Sequence, residues 1–366
     1  MQKPIEALTQ SYVRTKARDY KSFKQTMELK ANSSNNTLFA DDSGNIAYFH
    51  GNFIPRREAR FDWTKPVDGA DPATEWKGML DVDEAPNLLN PKIGWLYNSN
   101  NWPWSAAGPD SLKKDNYPAY VDKGREETPR GLHAIRVLTG KHNFTLDSLI
   151  AAAYDTYLPW FDTSLPPLFT AWEQLPPNDP LRTGLAEQID VLRKWNRRWS
   201  VDSIPTALGA FWFEELQKNK TDPLKALDAA SRKLTADFGT WRTRWGEINR
   251  FQRLTGDIVQ PFNDAAPSLP VGFTSGLLGS LAAFDAQPYP GTKKWYGFKG
   301  NSFVAVVEFG TKVRARAVST GGESGDPKSP HFNDQALRYT TGRLREVYFY
   351  PEQRKGHTSR TYHPGQ

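Results

Sequence analysis

Thr37-Leu38-Phe39-Ala40-Asp41-Asp42-Ser43-Gly44-Asn45-Ile46-Ala47-Tyr48-Phe49-His50 decides the reading of the fold. Two short β-prone runs flank Asp, Ser, Gly and Asn, residues whose side chains or missing Cβ favour turns, so residues 37–50 predict an antiparallel hairpin. A second hairpin is predicted where Ser302-Phe303-Val304-Ala305-Val306-Val307-Glu308-Phe309 and Lys312-Val313-Arg314-Ala315-Arg316-Ala317-Val318 flank Gly310-Thr311. Both are expected in one sheet system. Between them, residues 51–130 are aromatic and rich in Pro and Gly with little periodicity. From 145 to 255 the pattern turns helical. Thr145 is expected to cap a helix through Tyr157, Asp179-Pro180 to open another through Trp199, and Asp222-Pro223 to open a third.

Residues 5–30 predict one long helix, with Ile5, Leu8, Tyr12, Phe23 and Met27 loosely on one side. The chain then divides into an opening helix (1–31), a sheet and site region (32–144), a helical block (145–260), returning strands (261–350) and a tail (351–366). That is an α+β chain. No internal repeat is visible.

The chain of 366 residues can bury a sizeable core in one large domain or two smaller ones. It has no cysteine, which excludes disulfides, thiol nucleophiles and cysteine-ligated zinc, so any nucleophile is an oxygen or an amine. Aromatic residues make up 13%, too many for a disordered chain. The net charge of +6 is concentrated at the two ends, and in the middle basic and acidic residues alternate as on solvated helices, so no nucleic-acid partner is expected. No apolar stretch approaches the roughly 18 residues of a membrane span, and no signal-peptide core follows Met1, so the chain as encoded is expected in the cytoplasm with no membrane partner.

Self-contained catalytic signatures are missing: the sequence has no GxSxG, GxxxxGK[ST], HExxH or GxGxxG. No two of the six His stand at helical i, i+4 spacing, which argues against a His-based metal site. Asp81-Val82-Asp83-Glu84 offers oxygen ligands suited to calcium, but acids opening an irregular segment are more often a cap or a solvated turn.

The segment Gly44-Asn45-Ile46-Ala47-Tyr48-Phe49-His50-Gly51-Asn52-Phe53-Ile54-Pro55-Arg56-Arg57 resembles the penicillin acylase (penicillin amidase) family of N-terminal-nucleophile hydrolases. Glu75-Trp76-Lys77-Gly78, Asn90-Pro91, Gly94-Trp95 and Asn98-Ser99-Asn100-Asn101-Trp102-Pro103 follow in the family's order. Gly321-Gly322-Glu323-Ser324-Gly325 with Ser329-Pro330-His331 and Asp334-Gln335 resembles a late family signature. The resemblance covers about residues 35–350 and looks like the C-terminal part of the family's β chain.

The resemblance implies part of a four-layer αββα Ntn-hydrolase sandwich with antiparallel sheets and an inserted helical block. It also implies a precursor cut into α and β chains to expose a serine, whose hydroxyl attacks an amide carbonyl while its own α-amine acts as base. The oxyanion needs preorganised donors. By motif match one donor is the side-chain amide of Asn100, and Arg130, in Pro129-Arg130-Gly131, is the arginine that orients Asn100 and the amine. The two are expected within about 10 Å of each other in a concave surface. The competing readings are an Asn that fixes a turn and an ordinary surface Arg before a helix. His50 and His331 are expected to hydrogen-bond backbone. No cofactor is evident; the family allows calcium, but its ligands are not identifiable in this sequence.

Neither Met1 nor Gln2 can be the nucleophile, and Ser33 and Ser34 are read as a helix stop. The expectation is therefore a chain lacking its signal peptide, α chain and early β segment, with those parts supplied from an adjacent reading frame. A lone chain of this kind is expected to expose Trp63, Trp76, Trp95, Trp102 and Trp104 as an apolar patch. The expected function is the C-terminal portion of an amide hydrolase acting on small N-acyl amides of the β-lactam or N-acyl homoserine lactone type. The alternative is a silent remnant or accessory subunit that keeps the fold. The family resemblance places the full-length enzyme in the periplasm or outside the cell.

Overall fold

The computed structural model describes residues 4–31, 35–51, 54–121, 124, 126–219, 222–363 and 365. Met1, Gln2, Ser33, Ser34, Asn52 and Phe53 lie outside the described residues. The chain forms two compact units, Met1–Asn143 with Phe309–Lys312, and Phe144–Glu308 with Val313–Gln366.

In the first unit the expected single helix is broken. Helix α1 (Pro4–Val13) passes through a 3-10 turn at Arg14–Lys16, and α2 (Tyr20–Met27) starts afresh. The reason is a capping box: Asp19 Oδ1 accepts from the Ser22 amide at 2.7 Å while Ser22 Oγ accepts from the Asp19 amide at 3.2 Å. The break turns α2 so that Met27 packs with Ala47, Phe49 and Val82, with Tyr20, Phe23 and Phe39 around them.

The hairpin forms as predicted, β1 (Thr37–Ala40) pairing antiparallel with β2 (Ile46–Phe49) from Thr37↔Phe49 to Ala40↔Ile46. Its turn is held by Asp41 Oδ1, which accepts from the amides of Ser43 and Asn45 at 3.1 and 2.9 Å. Strand β3 (Asn87–Leu89) adds to β2. Helix α3 (Pro129–Leu138) closes the unit. The expected tryptophan patch is not there: Trp95 is buried, Trp63, Trp102 and Trp104 are half-buried, and only Trp76 is exposed. The Arg57 guanidinium lies over the rings of both Trp63 and Trp76.

The second unit opens with α4 (Leu146–Ala153), capped by Thr145 as expected but ending four residues before Tyr157. After α5 (Trp160–Gln174), the helix expected from Asp179 to Trp199 is two helices, α6 (Pro180–Gly184) and α7 (Ala186–Lys194), separated at Leu185. Next come α8 (Ile204–Asn219), α9 (Pro223–Phe238) and the short α10 (Trp245–Ile248). Asp222 caps α9, its Oδ1 accepting from the Leu224 and Lys225 amides. The core joins Phe161, Leu165 and Leu168 of α5, Leu192 of α7, Phe211 and Trp212 of α8, and Leu227 and Leu234 of α9. Each such fully buried side chain contributes about 1.5–3 kcal/mol.

The strands of this unit are β4 (Asn249–Phe251), β5 (Leu269–Pro270), β6 (Phe284–Gln287), β7 (Trp295–Gly300), β8 (Phe303–Glu308), β9 (Arg314–Ser319) and β10 (Arg345–Glu346), with short helices α11 (Ala336–Thr340) and α12 (Pro351–Arg354). Among the described residues they make one sheet in the order β5-β4-β7-β6 and another in the order β10-β9-β8. The second hairpin is β8 with β9, in register from Phe303↔Ser319 to Glu308↔Arg314.

One sheet expectation is corrected: the hairpins at 37–50 and 302–318 belong to separate sheets. The expected antiparallel pairing holds, with β4 and β7 the one parallel pair among the described strands. Strand alternation fixes local pairing but not which pairs merge, since that choice depends on long-range packing. No helix among the described residues is long and apolar enough to cross a membrane.

Candidate active site

The site grows from the turn at residues 98–101. Asn98 Oδ1 accepts from the Asn100 amide at 3.0 Å, and Asn101 Oδ1 accepts from the Ser99 amide at 2.9 Å and from Asn98 Nδ2 at 3.2 Å. The two flanking asparagines thus replace regular backbone pairing with side-chain pairing. Between them Asn100 sits at φ +62°, a left-handed conformation that Asn tolerates better than most residues. Its side chain is exposed, while Ser99 and Asn101 are buried.

Arg130 reaches the turn from the first turn of α3. Thr128 caps that helix, its hydroxyl accepting from the Gly131 amide at 3.1 Å, with Pro129 at the first helical position. A cation there opposes the helix dipole. The guanidinium is held instead by acceptors: Arg130 Nη2 donates to the Ser99 carbonyl at 2.6 Å and to Asn100 Oδ1 at 3.0 Å. The structure therefore brings the two sequence-derived site residues into direct contact. With its oxygen engaged, Asn100 presents Nδ2, for which no described group is an acceptor. The surface there is an open polar concavity of about 460 Å³ lined by Arg14, Asn35, Asn36, Thr37, Asn98 and Asn100.

Beneath the turn lies a network the sequence reading missed. Asn101 Nδ2 donates to both Glu127 oxygens, at 3.0 and 2.8 Å. Tyr97 donates to Glu127 Oε2 at 2.6 Å, Ser105 donates to the same oxygen, and the Thr128 amide donates to Oε1 at 2.6 Å. Burial pushes the Glu127 carboxyl up, but the bonds from Ser105, Tyr97, Thr128 and Asn101 outweigh it and hold it below the ordinary carboxylate range. Burial first, and then the neighbouring Glu127, push the Tyr97 phenol well above its usual value. Gly131 makes room for this carboxylate, since a Cβ at that position would lie 1.9 Å from Glu127 Oε1. The only sequence signal for Glu127 was an acid directly before a Thr-Pro helix start.

One histidine expectation is corrected: His331 Nδ1 pairs with Asp334 Oδ2 at 2.9 Å, so its ring meets a side chain where backbone was expected. The His50 ring lies 3.3 Å from the Tyr48 hydroxyl. Asp81 pairs with Lys30, Asp83 with Lys24 and Glu84 with Arg56. The Arg56 bond and the Asp81 amide hold Glu84 down to about 2. Carboxylates neutralised one by one in this way do not fit a calcium cage. Among the described residues no group of three His, Cys, Asp or Glu is arranged to hold a metal ion.

Comparison with known proteins bears on the same region. The penicillin amidase family profile matches residues 1–356. The chain belongs to the penicillin amidase family. Penicillin G acylase of Escherichia coli is 34% identical over 88 residues, 24% of this chain and 10% of that protein, so the matched stretch spans about a tenth of that relative. A thermostable penicillin G acylase from Alcaligenes faecalis, solved in an orthorhombic form, superposes with a TM-score of 0.60 at 19% identity, covering 98% of this chain and 72% of that one. The α+β fold is thus that of the penicillin acylases.

Proposed function

We propose that this penicillin amidase chain carries the oxyanion-stabilising face of an amide hydrolase that removes acyl groups from small N-acyl amides, of the β-lactam or N-acyl homoserine lactone type. The observation that carries the reading is the 3.0 Å bond from Arg130 Nη2 to Asn100 Oδ1, made at the rim of an open concavity. A neutral amide held by its oxygen offers its N–H₂ in a fixed direction. When a hydroxyl oxygen bonds to the amide carbon, the carbonyl oxygen takes up negative charge, and Asn100 Nδ2 donates to it. The charge returns as the C–N bond breaks and the amine leaves with a proton. Hydrolysis of the acyl ester passes through a second oxyanion, which meets the same donor.

Arg130 is a positioning residue here. Its charge strengthens the Asn100 dipole, and Arg14 on the same concavity adds a field favourable to an anion. The attacking serine and its amine base follow from the family resemblance, and no residue of this sequence is assigned that role; the implied partner is a segment or chain that brings them. A second reading, an acylase-fold subunit without chemistry of its own, is favoured by the fact that both assigned residues are donors. The deciding experiment takes the native protein, with whatever chain accompanies it in its source, and measures amine release from phenylacetyl, aliphatic-acyl and homoserine lactone amides. Hydrolysis that falls in an Asn100 variant supports the hydrolase, and no hydrolysis of any of the three supports the silent subunit.

A further inference from the structure

The second unit contains a cavity of about 320 Å³ between α8, α10 and the β4-β7-β6 strands, separate in chain position from the Asn100 turn. Trp245, Trp295, Phe213 and Phe284 contribute aromatic walls, and the exposed Leu277 and Phe298, at 64% and 56%, stand at its rim. An apolar cavity of this volume with a few polar groups has the composition of a small-molecule site.

Three residues lining it carry buried polar atoms without a partner: Asn249 Oδ1, Asp285 Oδ1 and Trp295 Nε1. Such atoms are rare in folded proteins. Asn249 is fully buried, and its Nδ2 is committed to the carbonyls of Val271 and Phe273 at 2.9 and 3.0 Å, so the amide cannot turn and its oxygen remains an acceptor. Asp285 stands at a bulge, where the β6–β7 register shifts between Asp285 and Ala286 and Phe298 is the extra residue on β7. Bulges re-aim side chains and recur beside binding sites.

Two of the three orphans are acceptors, and one of these is a carboxylate. Glu214 also lines the cavity, against a single basic side chain among the described residues, the exposed Lys299. A ligand that satisfies this set must bring N–H donors and positive charge, with an apolar or aromatic body to cover the tryptophans. We propose that this cavity binds a small primary amine with an aromatic or branched apolar body, its ammonium held by Asp285 and Asn249. A primary alkylamine is charged at neutral pH, as lysine is, and an ammonium leaves water only where a carboxylate and further acceptors receive it.

Phenethylamine titrated into the full chain, followed by calorimetry and by tryptophan fluorescence, tests the site without any amidase readout. Saturable one-to-one binding is expected, with quenching, since two tryptophans line the walls. Asp285→Asn should weaken it by about tenfold or more, the scale of losing a charged hydrogen bond. Phe298→Ala, at an exposed position where folding is little at risk, should weaken it several-fold. Phenylacetate, equal in shape but opposite in charge, should bind far more weakly. The proposal is overturned if phenethylamine does not bind at millimolar concentration, which would leave the cavity to water, if phenylacetate binds as well, or if neither variant changes the affinity.

Discussion

Arg130 Nη2 and the side-chain oxygen of Asn100 lie 3.0 Å apart, so the guanidinium decides which end of that amide faces the concavity. Removing the donor is most cleanly done with Asn100→Gly, because Gly keeps the backbone at φ +62° without strain. On the proposed function, this variant of the native protein should lose roughly 10²–10³ in kcat with KM little changed, the scale of one oxyanion-hole donor. Asn100→Ala should lose as much activity and also about 1–2 kcal/mol of stability from the left-handed backbone. Steady-state kinetics and thermal melting check both, and undiminished turnover in a folded Asn100→Gly protein removes Asn100 from the chemistry.

On the proposed function Arg130 acts through Asn100, to which it is hydrogen-bonded, so the two should be coupled. Arg130→Met leaves the Ser99 carbonyl and Asn100 Oδ1 without their shared donor, and the amide is then free to turn. Turnover should fall, and the double variant Arg130→Met with Asn100→Gly should be no slower than Asn100→Gly alone, since residues that act as a unit are not additive. Arg130→Lys should recover part of the loss, because an ammonium can reach one of the two acceptors. A fully additive cycle would mean that Arg130 works independently of Asn100.

Glu127 supports the turn from below, and its replacement separates structure from chemistry. Its two oxygens accept from Asn101, Tyr97, Ser105 and Thr128. Glu127→Gln puts an N–H₂ among donors and should cost about 1.5–3 kcal/mol of stability at pH 7. The folded carboxyl is depressed below its ordinary value. Its stabilisation is therefore complete above the unfolded value of about 4.3 and is lost as pH falls through the depressed folded one. Denaturant melts from pH 7 to pH 3 should show the wild type losing stability in acid, while Glu127→Gln, weaker at pH 7, loses less over that interval.

The parts legible in the sequence were those governed by neighbours in the chain. The hairpin at 37–49 shows in the Asp41–Asn45 turn, and α9 shows in Asp222-Pro223, because both signals are local hydrogen bonds. The break at Asp19 was equally local but was overridden by the longer apolar spacing from Ile5 to Met27, which the structure splits between α1 and α2. The separate sheets and the parallel β4–β7 pair depend on residues over 40 positions apart and leave no periodic trace. Asn100 and Arg130 were found through motif resemblance. Glu127 was not, because an acid before a helix is usually a solvated dipole partner, and only three-dimensional packing shows the four donors around it.

Glycine in the middle of a helix poses a contest between propensity and packing. Gly209 lies inside α8, where replacement by Ala ordinarily gains about 1 kcal/mol. A Cβ at this position would meet Phe161 Cζ at 2.8 Å and Trp195 Cζ3 at 3.3 Å. Phe161 is fully buried and wedged between Trp160 and Trp195, with ring centroids at 4.9 and 4.7 Å, so its ring has nowhere to go. Overpacking of this kind costs about 1–3 kcal/mol, enough to exceed the propensity gain. Gly209→Ala should therefore lower the urea midpoint with an unchanged slope. Gly184, exposed at the end of α6 with nothing within 4 Å of an added Cβ, provides the control. Gly184→Ala should raise the midpoint, by about 0.4–1 kcal/mol of stability, through the lost freedom of the unfolded chain. If Gly209→Ala stabilises as much as Gly184→Ala, the α5–α8 packing around Phe161 yields more easily than its burial implies.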